Sequence, residues 1–160
     1  MKKVCIAVLL ILIVINNVMC QSKTHSTNNI SNLEVVDIQL THRGPFNYFQ
    51  LNIESGIGVK GKVLLNNKNL VTFSGNENLL CANIIHDFKN GENKINLYIE
   101  STTYNANLAE YIDGSLVVIT LYAMNEQDFP DEKNRVFIIK WNNKNYSNNM
   151  QYNFDIQLKK

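Results

Sequence analysis

From residue 33 onward, apolar and polar side chains alternate with a period of two. The alternation is cut at short intervals by Gly, Asn, Asp and Pro. That period belongs to strands, whose successive side chains face opposite ways. It predicts strands over 33–40, 47–54, 59–65, 70–73, 79–86, 94–100, 115–123, 135–141 and 151–158. In 47–54, Phe49, Leu51 and Ile53 alternate with Tyr48, Gln50 and Asn52, giving one apolar face and one wet face. In 94–100, Ile95, Leu97 and Ile99 oppose Lys94, Asn96 and Tyr98. Residues 115–123 are apolar almost throughout, as a central strand covered on both faces requires. Asn66-Asn67-Lys68-Asn69 closes a hairpin, because Asn accepts the positive φ of a tight turn. Asn90-Gly91 is the strongest turn signal, and Gly44-Pro45 also turns the chain. Residues 102–112 read as a loop and 125–134 as an acidic loop broken by Pro130. No segment carries a convincing helical period. Eight or nine short strands in this series predict an all-β fold, an antiparallel β-sandwich of jelly-roll or immunoglobulin-like kind.

The first 32 residues break the pattern. Lys2 and Lys3 precede an unbroken apolar run over 4–15, which Asn16 and Asn17 end. That is the make-up of a signal peptide, and the run is too short for a comfortable membrane span. Cleavage is expected between Cys20 and Gln21, leaving 21–32 as a flexible polar spacer and 33–160 as the sandwich domain. A second reading makes Cys20 the lipid-accepting cysteine of a bacterial lipoprotein, although Asn17-Val18-Met19 fits that signal poorly. Either way the chain is expected outside the cytoplasm, secreted or periplasmic. Loss of the leader leaves Cys81 alone, so no internal disulfide forms and the core must hold the fold. Among Leu79, Leu80 and Ala82, Cys81 reads as a small core hydrophobe.

Composition narrows the partners. The formal charge is +1 and falls close to zero without the leader lysines. A nucleic-acid binder would show a basic stripe, and a polybasic membrane clamp a basic cluster. Neither partner is expected. Asparagine is unusually common, with about 26 copies. Two of them open glycosylation triplets, at Asn29 and Asn145, which matter only in a eukaryotic host.

Val63-Leu64-Leu65-Asn66-Asn67-Lys68, followed by residues 84–97 with Gly91-Glu92-Asn93-Lys94, resembles the non-catalytic, galactose-binding-like jelly-roll modules of the β-galactosidase family. The resemblance covers about 40 of the 160 residues. Its motif encodes turns, with Gly91 for the bend and Asn93 to pin it. Asn67 stands where the family usually has Gly. The resemblance implies a binding or structural module and no glycosidase activity.

Catalytic chemistry finds little support. Cys81 and His86, five apart on the strand expected over 79–86, would face opposite sides. No Gly-x-Ser-x-Gly elbow is present, and no helix follows Gly56-Ile57-Gly58 to cradle a phosphate. Glu126, Asp128, Asp131 and Glu132 form the best metal candidate, a weak one without the Asp-x-Asp order of a calcium loop. Trp141 shares a face with Phe137 and Ile139, which suits a core better than a sugar platform. No cofactor is expected.

The wet faces are more informative. Tyr48, Gln50 and Asn52 on one strand and Asn96 and Tyr98 on another are expected to line one ligand-binding surface. Tyr rings stack on sugars and amides bond hydroxyls, so the expected role is a non-enzymatic exported module that binds a glycan. The alternative is a structural or protein-interaction component of an envelope or secreted assembly, a lipoprotein-like adaptor that pairs sheet edges with another envelope or extracellular protein. A hydrolase using the acidic loop ranks third.

Overall fold

The structure, a computed structural model, describes residues 33–41, 43–103, 116–124 and 129–159. The leader, the cleavage site at Cys20 and Gln21, the spacer and Asn29 lie outside them, as do 104–112 of the expected loop, the first residue of the strand expected over 115–123, and Glu126 and Asp128.

Nine strands form among the described residues: β1 (Glu34–Asp37), β2 (Tyr48–Ser55), β3 (Val59–Leu65), β4 (Lys68–Ser74), β5 (Glu77–Ala82), β6 (Gly91–Thr102), β7 (Val117–Met124), β8 (Arg135–Trp141) and β9 (Asn149–Ile156). They make two sheets, one of five strands in the order β1-β9-β6-β3-β4 and one of four in the order β5-β2-β7-β8. All pairs are antiparallel except β1 with β9, where Glu34 to Asp37 run parallel to Met150 to Asn153. The protein is an all-β sandwich. Among the described residues no helix is long and apolar enough to cross a membrane.

Period two closes the two layers on each other. Phe49, Leu51 and Ile53 of β2 and Ile119 and Leu121 of β7 are fully buried, as are Val63, Leu65, Ile95, Leu97 and Met150 of the other sheet. A file of aromatic rings spans the core: Phe49 stacks on Phe88 at 4.2 Å, Phe88 meets Phe154 edge-on at 6.3 Å, and Phe154 meets Phe137 at 5.1 Å. Such pairs contribute about 0.5–1.5 kcal/mol each beyond their burial. Trp141 is fully buried, and its indole N–H donates to the Ser147 carbonyl at 2.9 Å. It is a core residue. Gly61 is needed for close approach, since a Cβ there would collide with the Tyr98 carbonyl and lie 2.7 Å from the Phe73 ring.

The turns follow from their residues. Asn66 and Asn67 take φ of 51° and 72° and close the β3–β4 hairpin. Gly91 opens β6 at φ 97°. Asn93 pins the approach: its amide donates to the carbonyls of Lys89 and Gly91, and its oxygen accepts from the Lys89 N–H and from Asn66.

One expected strand is too long. The strand read over 79–86 ends at Ala82, because Asn83 turns to φ 55° and a short 3-10 turn, Ile85–Asp87, follows. His86 therefore sits on that exposed turn and not on the strand of Cys81.

Candidate functional site

The five residues expected to share a surface occupy two. Tyr48, Gln50 and Asn52 lie on β2, on the side opposite its core residues, so they face outward from the four-stranded sheet. Asn96 and Tyr98 lie on β6 and face outward from the five-stranded sheet. The whole sandwich separates the two groups. Alternation fixes which side chains of β2 and of β6 share a face, but it says nothing about which sheet a strand joins. The face of β2 is also less wet than expected. Tyr48 and Gln50 are only 9% and 7% exposed. β2 is a central strand, and its outward side is crowded between Leu80 and Ala82 of β5 and Thr120, Tyr122 and Met124 of β7.

The outer face of the five-stranded sheet is the more polar one, and register lays it out in rows. Lys62, Tyr98 and Asn149 form one row across β3, β6 and β9. Leu64, Asn96, Gln151 and Val35 form the next, ending on β1. Lys94, Asn153 and Asp37 form a third. A chain of side-chain hydrogen bonds crosses these rows. Asn96 Nδ2 donates to Gln151 Oε1 at 3.3 Å, Gln151 Nε2 to Asn153 Oδ1 at 2.9 Å, and Asn153 Nδ2 to Asp37 Oδ1 at 3.0 Å. Every donor points the same way along it, so the acceptor of its first member is left over.

That acceptor is Asn96 Oδ1, which is buried without a hydrogen-bond partner; the residue is 4% exposed. Asn149 Oδ1, in the neighbouring row, is buried and unpartnered as well. A buried acceptor without a donor costs about 1–3 kcal/mol. Between them stands Tyr98, half-buried, with the Lys62 ammonium 5.5 Å from its ring centroid. The cluster therefore offers two carbonyl acceptors, an aromatic ring and a cation. Gln151 and Asn149 escaped the sequence reading because their partners on β6 are fixed by pairing across 55 and 51 residues of chain, respectively.

The far end of the amide chain opens on a shallow groove of about 340 Å³. Asp37, Glu92, Asp155 and Arg43 line it beside Asn153. A second groove, about 180 Å³, lies between β1 and β8 and is lined mainly by Val36, Ile38, Ile138, Ile139, Tyr146 and Tyr152. Burial, reinforced by Tyr146 and Glu34, pushes the Tyr152 phenol well above its ordinary range.

The acidic loop spends its described carboxylates locally. Asp131 caps the 3-10 turn Glu132–Asn134 by accepting from the N–H groups of Lys133 and Asn134, and Glu132 pairs with Arg135 at 3.4 Å. Among the described residues, no group of three or more His, Cys, Asp and Glu is placed to hold a metal ion. Cys81 turns toward the core from β5, and its burial raises the thiol pKa. A raised pKa keeps the thiol protonated and poorly nucleophilic. Asn145 lies exposed in the turn between β8 and β9. No family model, curated protein or solved structure matches this chain.

Proposed function

We propose that this protein is a non-enzymatic, exported binding module that takes a hydroxyl-rich ligand, a glycan, on the outer face of its five-stranded sheet. The reading rests on one observation above the others: the orphan carbonyl of Asn96, buried at the head of a directed amide chain. A fold tolerates such a group most readily where a ligand supplies the donor. A sugar hydroxyl supplies the donor once the side chains covering Asn96 move aside, and the second orphan at Asn149 doubles the demand. The Tyr98 ring supplies an apolar patch for the C–H face of a pyranose once Lys62 swings aside. Export follows from the charged and apolar leader. The raised pKa of Cys81 and the local use of Asp131 and Glu132 favour binding over catalysis.

A glycan array probed with four proteins tests this: the natural sequence, Asn96→Leu, Tyr98→Ala, and Asn52→Ala on the opposite face. The natural protein and Asn52→Ala bind the same subset. Asn96→Leu and Tyr98→Ala weaken it by about tenfold or more, the effect of losing roughly 1.4 kcal/mol. Asn96→Leu changes urea stability by no more than about 1 kcal/mol, because removing the orphan oxygen offsets the donor that Gln151 Oε1 loses. Absence of binding, or binding indifferent to both changes on β6, overturns the proposal.

A further inference from the structure

We infer that the free edge of β5 pairs with β5 of a second copy of this chain, joining two four-stranded sheets into one of eight. An exposed strand edge is a template for another strand unless something blunts it. Three of the four sheet edges here are blunted. β1 has only four residues, and the chain after it folds over β8, where the Thr41 N–H and hydroxyl both donate to the Val136 carbonyl. β8 also carries Arg135 and Lys140. β4 carries Lys68 and meets β3 through a register irregularity between Val63 and Leu64.

Among the described residues, β5 has none of these devices. Its six residues keep an unbroken register with β2, and no described residue pairs with its other side. It contains no Pro, Gly or Lys. Its one charge, Glu77, lies at the end and is tied back by accepting from the Ser74 N–H at 3.0 Å. Leu80 faces outward at mid-strand and is 59% exposed.

The strand is also self-complementary. Inner faces stay inner only if the two-fold axis is perpendicular to the sheet, which pairs residues of like parity. Centred on Leu80, the two leucines lie side by side, Leu79 opposes the partner's Cys81, and Asn78 opposes the partner's Ala82. Glu77 opposes the partner's Asn83, so no like charges meet. This symmetry keeps both five-stranded layers on the same side. Two polar faces then point one way, and a weak module binds a surface by avidity. The pairing itself does not depend on the glycan reading.

Sedimentation velocity and light scattering of the purified protein test the inference. A six-residue edge is a small contact, so dimers with a dissociation constant of about micromolar order are expected. Leu80→Lys weakens association by about tenfold or more, whereas Thr72→Lys on β4 leaves it unchanged. Leu80→Cys, made with Cys81→Ser, closes an intermolecular disulfide in oxidising buffer, since directly paired residues lie within bridging distance. A β-type circular dichroism spectrum of each variant separates lost pairing from lost folding. A monomer at every concentration, or a dimer indifferent to Leu80→Lys, overturns the inference, as does a disulfide that forms no faster than one from Thr72→Cys.

Discussion

Asn93 and Asn96 lie three residues apart on β6, and their carboxamides meet opposite fates. Asn93 makes four hydrogen bonds, three within the turn it fixes and one to Asn66 of the β3–β4 hairpin. Asn96 makes one and leaves its oxygen unpaired. The pinning role was legible in the sequence, because Asn two residues after a Gly at a bend has backbone groups within reach. The orphan was not legible, because it depends on Gln151, far along the chain. Tyr152 shows a different residue-scale effect. Its phenol is held above the ordinary value of about 10 by burial first, then by Tyr146 and Glu34. A raised folded pKa contributes stability that is present below the unfolded pKa and lost as pH rises through the folded one. Urea midpoints taken from about pH 8 to about pH 11 are therefore expected to fall more steeply for the natural protein than for Tyr152→Phe. Parallel slopes would contradict this.

At the scale of elements, the periodicity locates each of the nine strands among the described residues, and the errors fall at ends and partners. β3 and β8 match their expected bounds, since charged or turn residues flank both. The expected end of β5 falls four residues past the observed one because Ile84 and Ile85 look like strand, while the positive φ of Asn83 carries no signal distinct from the many other asparagines. The parallel pairing of β1 was also hidden, as nothing in a four-residue strand announces direction. The hairpin at Asn66 and Asn67 was legible, and it carries a prediction. Asn67 holds φ 72°, a conformation that costs any residue with a Cβ something and costs Gly least. Asn67→Gly is expected to raise the urea stability by about 0.5–1 kcal/mol, and Asn67→Val to lower it by about 1–2. Equal stability of the two variants would show that the turn does not hold this geometry. The side chain of Asn67 is exposed, so packing does not confound the result.

The whole molecule is a two-layer sandwich with unlike outer faces. The four-stranded face buries most of its central side chains, among them Gln50, Thr120 and Val118. The five-stranded face carries the directed amide chain, the orphan carbonyls and a groove with three carboxylates at its end. Residues assigned to one surface by sequence were divided between these faces because sheet membership is decided by long-range pairing. Placing ligand recognition on the five-stranded face is the central claim. It is tested most directly by following side-chain amide resonances of the labelled protein while the best array glycan is titrated in. Shifts are predicted at Asn96, Asn149 and Gln151, with backbone shifts at Lys62 and Tyr98. Shifts centred on Gln50, Asn52 and Thr120 instead would contradict the claim.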